Sequence, residues 1–77
     1  MSNQDIVESA ILTCRKESLG MPVKCLIVHP DFFQALFDEV LRNDANSIVM
    51  KAIRDGYYKG IPIFRSYDMY SGEVKAF

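Results

Sequence analysis

Three side chains are of types that carry out nucleophilic, acid–base or metal chemistry near neutral pH: Cys14, Cys25 and His29. A structural zinc site needs four ligands, typically in closely spaced pairs, and spacings of eleven and four residues do not provide them. General-base catalysis would depend on His29, the only histidine. The sequence therefore predicts no metal, no cofactor and no enzymatic activity. The cysteines are expected to be buried small apolar residues, and His29 to mark the junction of a strand with a helix.

The acidic side chains do not form an acid–base pair. Asp38 and Glu39 are adjacent in a predicted helix, where neighbouring positions point apart, so they cannot act together on one substrate. Asp5 and Glu8 lie on another predicted helix. Both pairs are expected to be solvated helix surface.

The charge distribution is the least even feature. Residues 1–50 carry four basic and seven acidic side chains, a net charge of −3. Residues 51–67 carry four basic side chains against Asp55 alone, a net charge of +3, with tyrosines interleaved. This segment has three interpretations: an ordinary solvated surface, a protein interface, or a site for single-stranded nucleic acid. The candidate partner-binding residues are Lys51, Arg54, Tyr57, Tyr58, Lys59, Arg65 and Tyr67.

Size and composition predict a single small globular domain covering residues 1–77. Hydrophobic residues make up 49% of the chain and charged residues 25%, which argues against disorder. The net charge of −1 gives no general attraction to nucleic acid or to an acidic membrane. No apolar run approaches the roughly 20 residues that span a bilayer, and the N-terminus lacks the basic region of a signal peptide. We expect a reducing, cytoplasmic location.

Capping and periodicity predict the helices. Ser2 and Asp5 resemble a capping box, and the first helix is expected over residues 3–18, with Gly20 in the C′ position. His29-Pro30-Asp31 opens a second helix that ends at Asn43-Asp44. Residues 46–55 have helical spacing and predict a short third helix.

Three strands are expected. The apolar run 23–28 between two prolines predicts a central strand buried on both faces. The segment 61–65 predicts a strand at an edge or a bulge, because Pro62 cannot donate a ladder hydrogen bond. Residues 73–77 alternate and predict the second arm of a hairpin.

The order α-β-α-(α)-β-β defines a small α/β (α+β) fold. We expect a mixed sheet of about three strands, with the strands at 23–28 and 61–65 parallel, and two to three helices packed on it. The chain ends at Phe77 within a predicted strand, which is compatible with a fragment of a longer protein.

Two short motifs along the chain are similar to motifs of a known family. The apolar strand ends in Val28-His29-Pro30-Asp31-Phe32 and turns into a helix, and Gly60-Ile61-Pro62-Ile63-Phe64 follows before Ser66, Met69 and Gly72. This pattern resembles the axial domain of the major coat proteins of tailed bacteriophages, a fold shared with encapsulins. The resemblance implies a phage or prophage origin. The chain lacks the family's N-terminal arm, long extended loop and peripheral domain, so it is not expected to build a closed shell alone.

Three functions follow as hypotheses. The first is a non-catalytic structural or assembly module, in the host cytoplasm or associated with the virion, that binds a protein, including a second copy head to tail. The second is a small phage- or prophage-encoded protein that binds and modulates a host protein. The third, less favoured because the basic charges are few, is a regulator that binds nucleic acid.

Overall fold

Three helices and a four-stranded mixed sheet form the fold in a computed structural model that describes residues 2–77. The predicted α+β class is confirmed, with one strand more than expected. In chain order the elements are α1 (Asn3–Glu17), β1 (Leu26–Val28), α2 (Pro30–Asn43), α3 (Ile48–Arg54), β2 (Tyr57–Tyr58), β3 (Ile61–Arg65) and β4 (Val74–Ala76).

The strands lie in the order β2-β3-β1-β4. β1 runs parallel to β3, with Leu26 opposite Ile63, which confirms the predicted parallel pair. β4 runs antiparallel to β1, with Val28 opposite Val74. The expectation that β4 returns as the second arm of a hairpin is wrong, because β4 lies on the far side of β1 from β3.

The hairpin of this sheet joins β2 to β3 instead. Tyr58 pairs with Ile61 across a two-residue loop, in which Lys59 has φ 48° and Gly60 has φ 84°. Positive φ at both loop positions matches the type I′ turn, whose twist suits a two-residue hairpin. Asn-Gly is the usual sequence for this turn, and a lysine at the first position hides the signal.

Pro62 lies inside the sheet and not at an edge, so that prediction is wrong. Its strand, β3, has β2 on one side and β1 on the other. The amide of Ile63 donates to Gly56 on the β2 side, at 2.8 Å. Because successive amides of a strand point to opposite sides, the nitrogen of Pro62 faces the β1 side. The β1–β3 ladder begins at the next residue, with Ile63 opposite Leu26, so the missing donor is tolerated.

Side-chain caps begin the helices: α1 starts where the sequence predicts, and α3 starts at Ile48, two residues later than predicted. Ser2 and Asp5 form the capping box of α1, and Ser47 accepts from the amide of Met50 at the start of α3. At the end of α1, Leu19 and not Gly20 occupies C′, with φ 57°. The amide of Gly20 donates to the carbonyl of Arg15, five residues back, as in a Schellman motif. Gly20 is therefore one position later than predicted.

The prediction that Asp38 and Glu39 are both solvated is wrong for Glu39. Its two carboxylate oxygens accept from the backbone amides of Asn3 and Gln4, at 2.8 and 3.0 Å. These amides belong to the first turn of α1, whose donors have no partner within the helix. A carboxylate there also interacts favourably with the helix dipole. Glu39 thus joins α2 to the start of α1, while Asp38 is exposed as predicted.

The helices cover only one face of the sheet. Leu26 and Val28 of β1 are buried, with 0% and 1% of their surface exposed, whereas Ile27 between them is only half-buried. The buried strand residues pack with residues of all three helices: Val7, Phe32, Leu36, Val40, Met50 and Ile53. The prediction that β1 is buried on both faces is therefore wrong, although its central place between two strands is as expected. The strand is also shorter than the predicted 23–28, since it begins at Leu26.

No helix within residues 2–77 combines the length and the apolarity needed to cross a membrane.

Candidate protein-interaction surface

The side of the sheet away from the helices is a largely apolar surface, here called the open face. Strand register places Phe64 of β3 beside Ile27 of β1, and Ile27 beside Lys75 of β4. Directly paired residues point to the same side of a sheet, so these three form a row across its centre. Phe64 is 56% exposed.

A second row completes the open face. Tyr57 of β2 lies opposite Pro62 of β3. At the other side of the sheet, the amide of Phe77 donates to the carbonyl of Cys25 at 3.0 Å, so these two residues are paired as well. Tyr57 is 45% exposed and Phe77 is 55% exposed. The open face thus consists of Cys25, Ile27, Tyr57, Pro62, Phe64, Lys75 and Phe77.

The structure separates two of the candidate residues, Tyr57 and Tyr58, although they are neighbours in the sequence. Tyr57 points to the open face, and Tyr58 points to the helices with none of its surface exposed. Because strand side chains alternate between faces, only one of two consecutive tyrosines can lie on the open face. Tyr58 is a core residue and cannot contact a partner directly.

The buried Tyr58 ends in a polar contact at the hairpin. Its hydroxyl donates to the Oε1 of Glu8 at 2.8 Å, and the Nζ of Lys59 donates to the same oxygen at 2.6 Å. Hydrogen bonds from Lys59 and then Tyr58 hold the pKa of Glu8 below its usual value. Burial, together with the Glu8 carboxylate, raises the pKa of Tyr58 to about 12. Lys59 is therefore occupied by an ion pair that joins the hairpin to α1.

Arg65 and Tyr67 lie at the other end of β3 from Lys59. The guanidinium of Arg65 stands 4.9 Å from the centre of the Phe33 ring on α2, a cation–π contact. Tyr67 is 83% exposed and makes an edge contact with His29, with 5.6 Å between ring centres. His29 accepts the amide of Asp31 on its Nδ1 at 3.0 Å, so it caps α2 at the junction that the sequence predicts.

Lys51 and Arg54 lie on α3 and are exposed. They are three residues apart, so they are neighbours on one side of the helix. The ion pairs found within residues 2–77 include neither of them. These two are the basic candidates that the structure keeps together.

The seven candidate residues consequently do not form one surface. Two lie on α3, one on the open face, one in the core, one at the hairpin and two near the start of α2. Lys59 and Arg65 are separated by the length of β3, roughly 3.3 Å for each residue step. A basic segment in the sequence is therefore not a basic patch on the molecule.

Sequence reasoning missed Ile27, Phe64 and Phe77, the apolar residues that dominate the open face. Each belongs to a predicted strand, and the alternation along β3 was available as a signal. The sequence does not say which of the two faces the helices cover, because both faces of these strands are apolar.

Cys14 and Cys25 are free thiols, as expected, but both are half-buried instead of buried. Cys14 lies on α1 and Cys25 borders the open face. Within residues 2–77, no three His, Cys, Asp or Glu side chains come together as metal ligands.

Comparison of the chain with protein-family models, with curated proteins and with solved structures finds no match. The fold and the surface together define a small α+β domain whose four-stranded sheet has helices on one face and an apolar open face on the other.

Proposed function

We propose that this chain is a non-catalytic assembly or interaction module that binds the apolar surface of a partner protein through its open face. The observation that carries the proposal is the exposure of Phe64 and its neighbours on the face of the sheet that no helix or strand within residues 2–77 covers. A sheet normally buries its apolar side against another element. Large contiguous patches of exposed apolar residues are typical of protein interaction sites.

The composition of the open face fits a protein partner. Phe64, Tyr57 and Phe77 are aromatic, and aromatic residues are enriched in protein interfaces. The side chain of Lys75 contributes a charge at the margin and is 57% exposed. An apolar centre with polar groups near its rim is the usual arrangement of such interfaces.

The resemblance to the axial domain of phage coat proteins supports an assembly role. On this proposal the protein acts in the cytoplasm of a host cell or on the virion. A protein that modulates a host protein would use the same open face, so the identity of the partner separates these two functions.

A photo-crosslinking residue placed at position 64 tests the proposal in the producing cells. The matched control is position 70, where Tyr70 is also aromatic and 81% exposed but lies in a turn. We expect mass spectrometry to find one main protein adduct for position 64 and none for position 70. A virion component would favour assembly, and a host protein would favour modulation.

Binding to the purified partner then has to depend on the open face. We expect Phe64→Ser to weaken the affinity at least about tenfold, in the range of an interface hot spot, and Tyr70→Ser to leave it unchanged. Equal crosslinking at both positions, or unchanged affinity for Phe64→Ser, would contradict the proposal. Adducts with nucleic acid instead of protein would favour the regulator hypothesis.

A further inference from the structure

The outer edge of β4 is a row of free backbone groups. β4 is the last strand of the order β2-β3-β1-β4, and within residues 2–77 no strand pairs with its outer side. Phe77 and Cys25 exchange both backbone hydrogen bonds, at 3.0 and 3.3 Å. Since bonding alternates along an antiparallel strand, Lys75 also points its backbone toward β1. Val74 and Ala76 therefore direct their N–H and C=O groups outward.

The space beside this edge is open. A groove of about 330 Å³ lies between α1 and β4 and is lined by Ser9, Ala10, Thr13, Cys14, Glu17 and residues 74–77. The lining includes Val74, which packs toward the helices, and Lys75, which points to the open face. The groove thus runs along the edge of the strand. The α1 residues near it include small side chains, so they leave room for an added strand.

The charged side chains at the outer edge of β4 are complementary to those of a second β4 strand that runs antiparallel to it. Glu73 and Lys75 lie on the same side of β4, with 4.0 Å between Oε1 and Nζ, and they flank Val74. We propose that β4 pairs with β4 of a second copy, antiparallel and two-fold symmetric about Val74. The two Val74 residues then form the central hydrogen-bonded pair. Glu73 faces Lys75 of the second copy, and Lys75 faces Glu73 of the second copy.

Charge selects this register over its neighbour. A shift that centres the pair on Lys75 sets two lysines directly opposite each other, and like charges in that position are destabilising. The register centred on Val74 places opposite charges in both of the adjacent positions. An edge strand that carries alternating charges of both signs is therefore complementary to itself.

The proposed contact differs from head-to-tail association and is independent of the proposed function. It uses the same patch on both copies, so it closes as a dimer, whereas head-to-tail contacts continue into rings or filaments. The two sheets join into one of eight strands. Phe64 lies two strands away from the seam and remains free for another protein.

Sedimentation equilibrium of the 77-residue protein, from micromolar to millimolar concentration, tests the proposal. We expect a weak dimer and no larger species, since the interface is small. Glu73→Lys and Lys75→Glu each place like charges across the seam, and each should raise the dimer Kd at least about tenfold. The double variant Glu73→Lys/Lys75→Glu restores complementarity and should dimerise like the natural sequence. A mixture of the two single variants should form the heterodimer.

A backbone variant gives a second test that does not depend on charge. Ala76→Pro removes an outward amide but none of the hydrogen bonds to β1, and it should abolish dimerisation while the circular dichroism is retained. Phe64→Ser should leave the dimer unchanged, so failure of this inference and failure of the proposed function are distinguishable. A monomer up to millimolar concentration would overturn the inference. So would species larger than a dimer, or a dimer that Glu73→Lys does not weaken.

Discussion

The two faces of the sheet are built from similar residues but differ in whether helices cover them. Leu26 and Ile27 are consecutive in β1, yet Leu26 is fully buried under the helices and Ile27 points to the open face. The same holds for Ile63 and Phe64 of β3. Placement of the helices, and not the hydrophobicity of a strand residue, therefore decides whether that residue is buried in the core or exposed.

The largest difference between the two faces is expected for one pair of substitutions in β1. We expect Leu26→Ala to lower the free energy of unfolding by about 3 kcal/mol, because the change removes buried surface and leaves a cavity. Ile27→Ala should cost about 1 kcal/mol or less, since its side chain is already partly in water. Urea unfolding followed by circular dichroism measures both.

Equal losses for the two variants would mean that both faces of the sheet are covered. If Leu26→Ala does not fold, Leu26→Val is the milder replacement, and the order of the two positions should be the same.

A second test compares two neighbouring carboxylates of α2. The carboxylate of Glu39 accepts from two amides of α1, whereas the carboxylate of Asp38 accepts from the exposed side chain of Gln34. We expect Glu39→Gln to lower the unfolding free energy by about 1–2 kcal/mol, the range for losing a helix cap, because the amide keeps one acceptor and loses the charge. Asp38→Asn should change it by less than about 0.5 kcal/mol. Similar values for both would show that the Glu39 contact adds nothing.

A third test concerns pH and the contact between Tyr58 and Glu8. The pKa of Tyr58 is raised to about 12 in the folded protein, so its contribution is intact below about pH 10, the unfolded value, and is lost as pH rises from 10 to 12. The pKa of Glu8 is lowered, so its contribution is present above pH 4.5 and is lost as pH falls through the folded pKa.

Melting temperatures measured from acid to alkaline pH report both the loss of stability at low pH and the loss at high pH. Tyr58→Phe should remove the loss of stability at alkaline pH that is due to Tyr58. It should retain most of the loss at acid pH, because Lys59 still binds Glu8. A loss at alkaline pH that is identical in Tyr58→Phe would contradict this assignment.

Local signals in the sequence predict the helices well. The side chains of Ser2, His29 and Ser47 each accept an amide two or three residues later, so these helix starts depend on local sequence. Pro30 suits the first helical position because it has no N–H to leave unpaired. Strand β3 is predicted with its observed bounds, since its apolar run is flanked by turns. The parallel pairing of β1 with β3 follows from the length of the connection between them.

Features that depend on contacts between distant parts of the chain could not be predicted from the sequence. β2 has only two residues, too few for an alternation pattern, and its turn uses Lys59 in place of the usual asparagine. The partner of β4 depends on which side of β1 is free, and Glu39 acts on residues thirty-five or more positions away. The candidate surface follows a run of basic and aromatic residues in the sequence. Strand alternation places Tyr58 on the opposite side of the sheet from Tyr57, so such a run does not form one surface.

The order β2-β3-β1-β4 also has a consequence for biosynthesis. Because translation proceeds from the N-terminus, β1 leaves the ribosome before either of the strands that flank it. Its two edges and its apolar side chains stay unpaired until β3 and then β4 have emerged. Unpaired strand edges promote association between chains, so the nascent protein is most vulnerable to aggregation in this interval. Chaperone protection would therefore matter most between the emergence of Val28 from the ribosome and the emergence of Ala76.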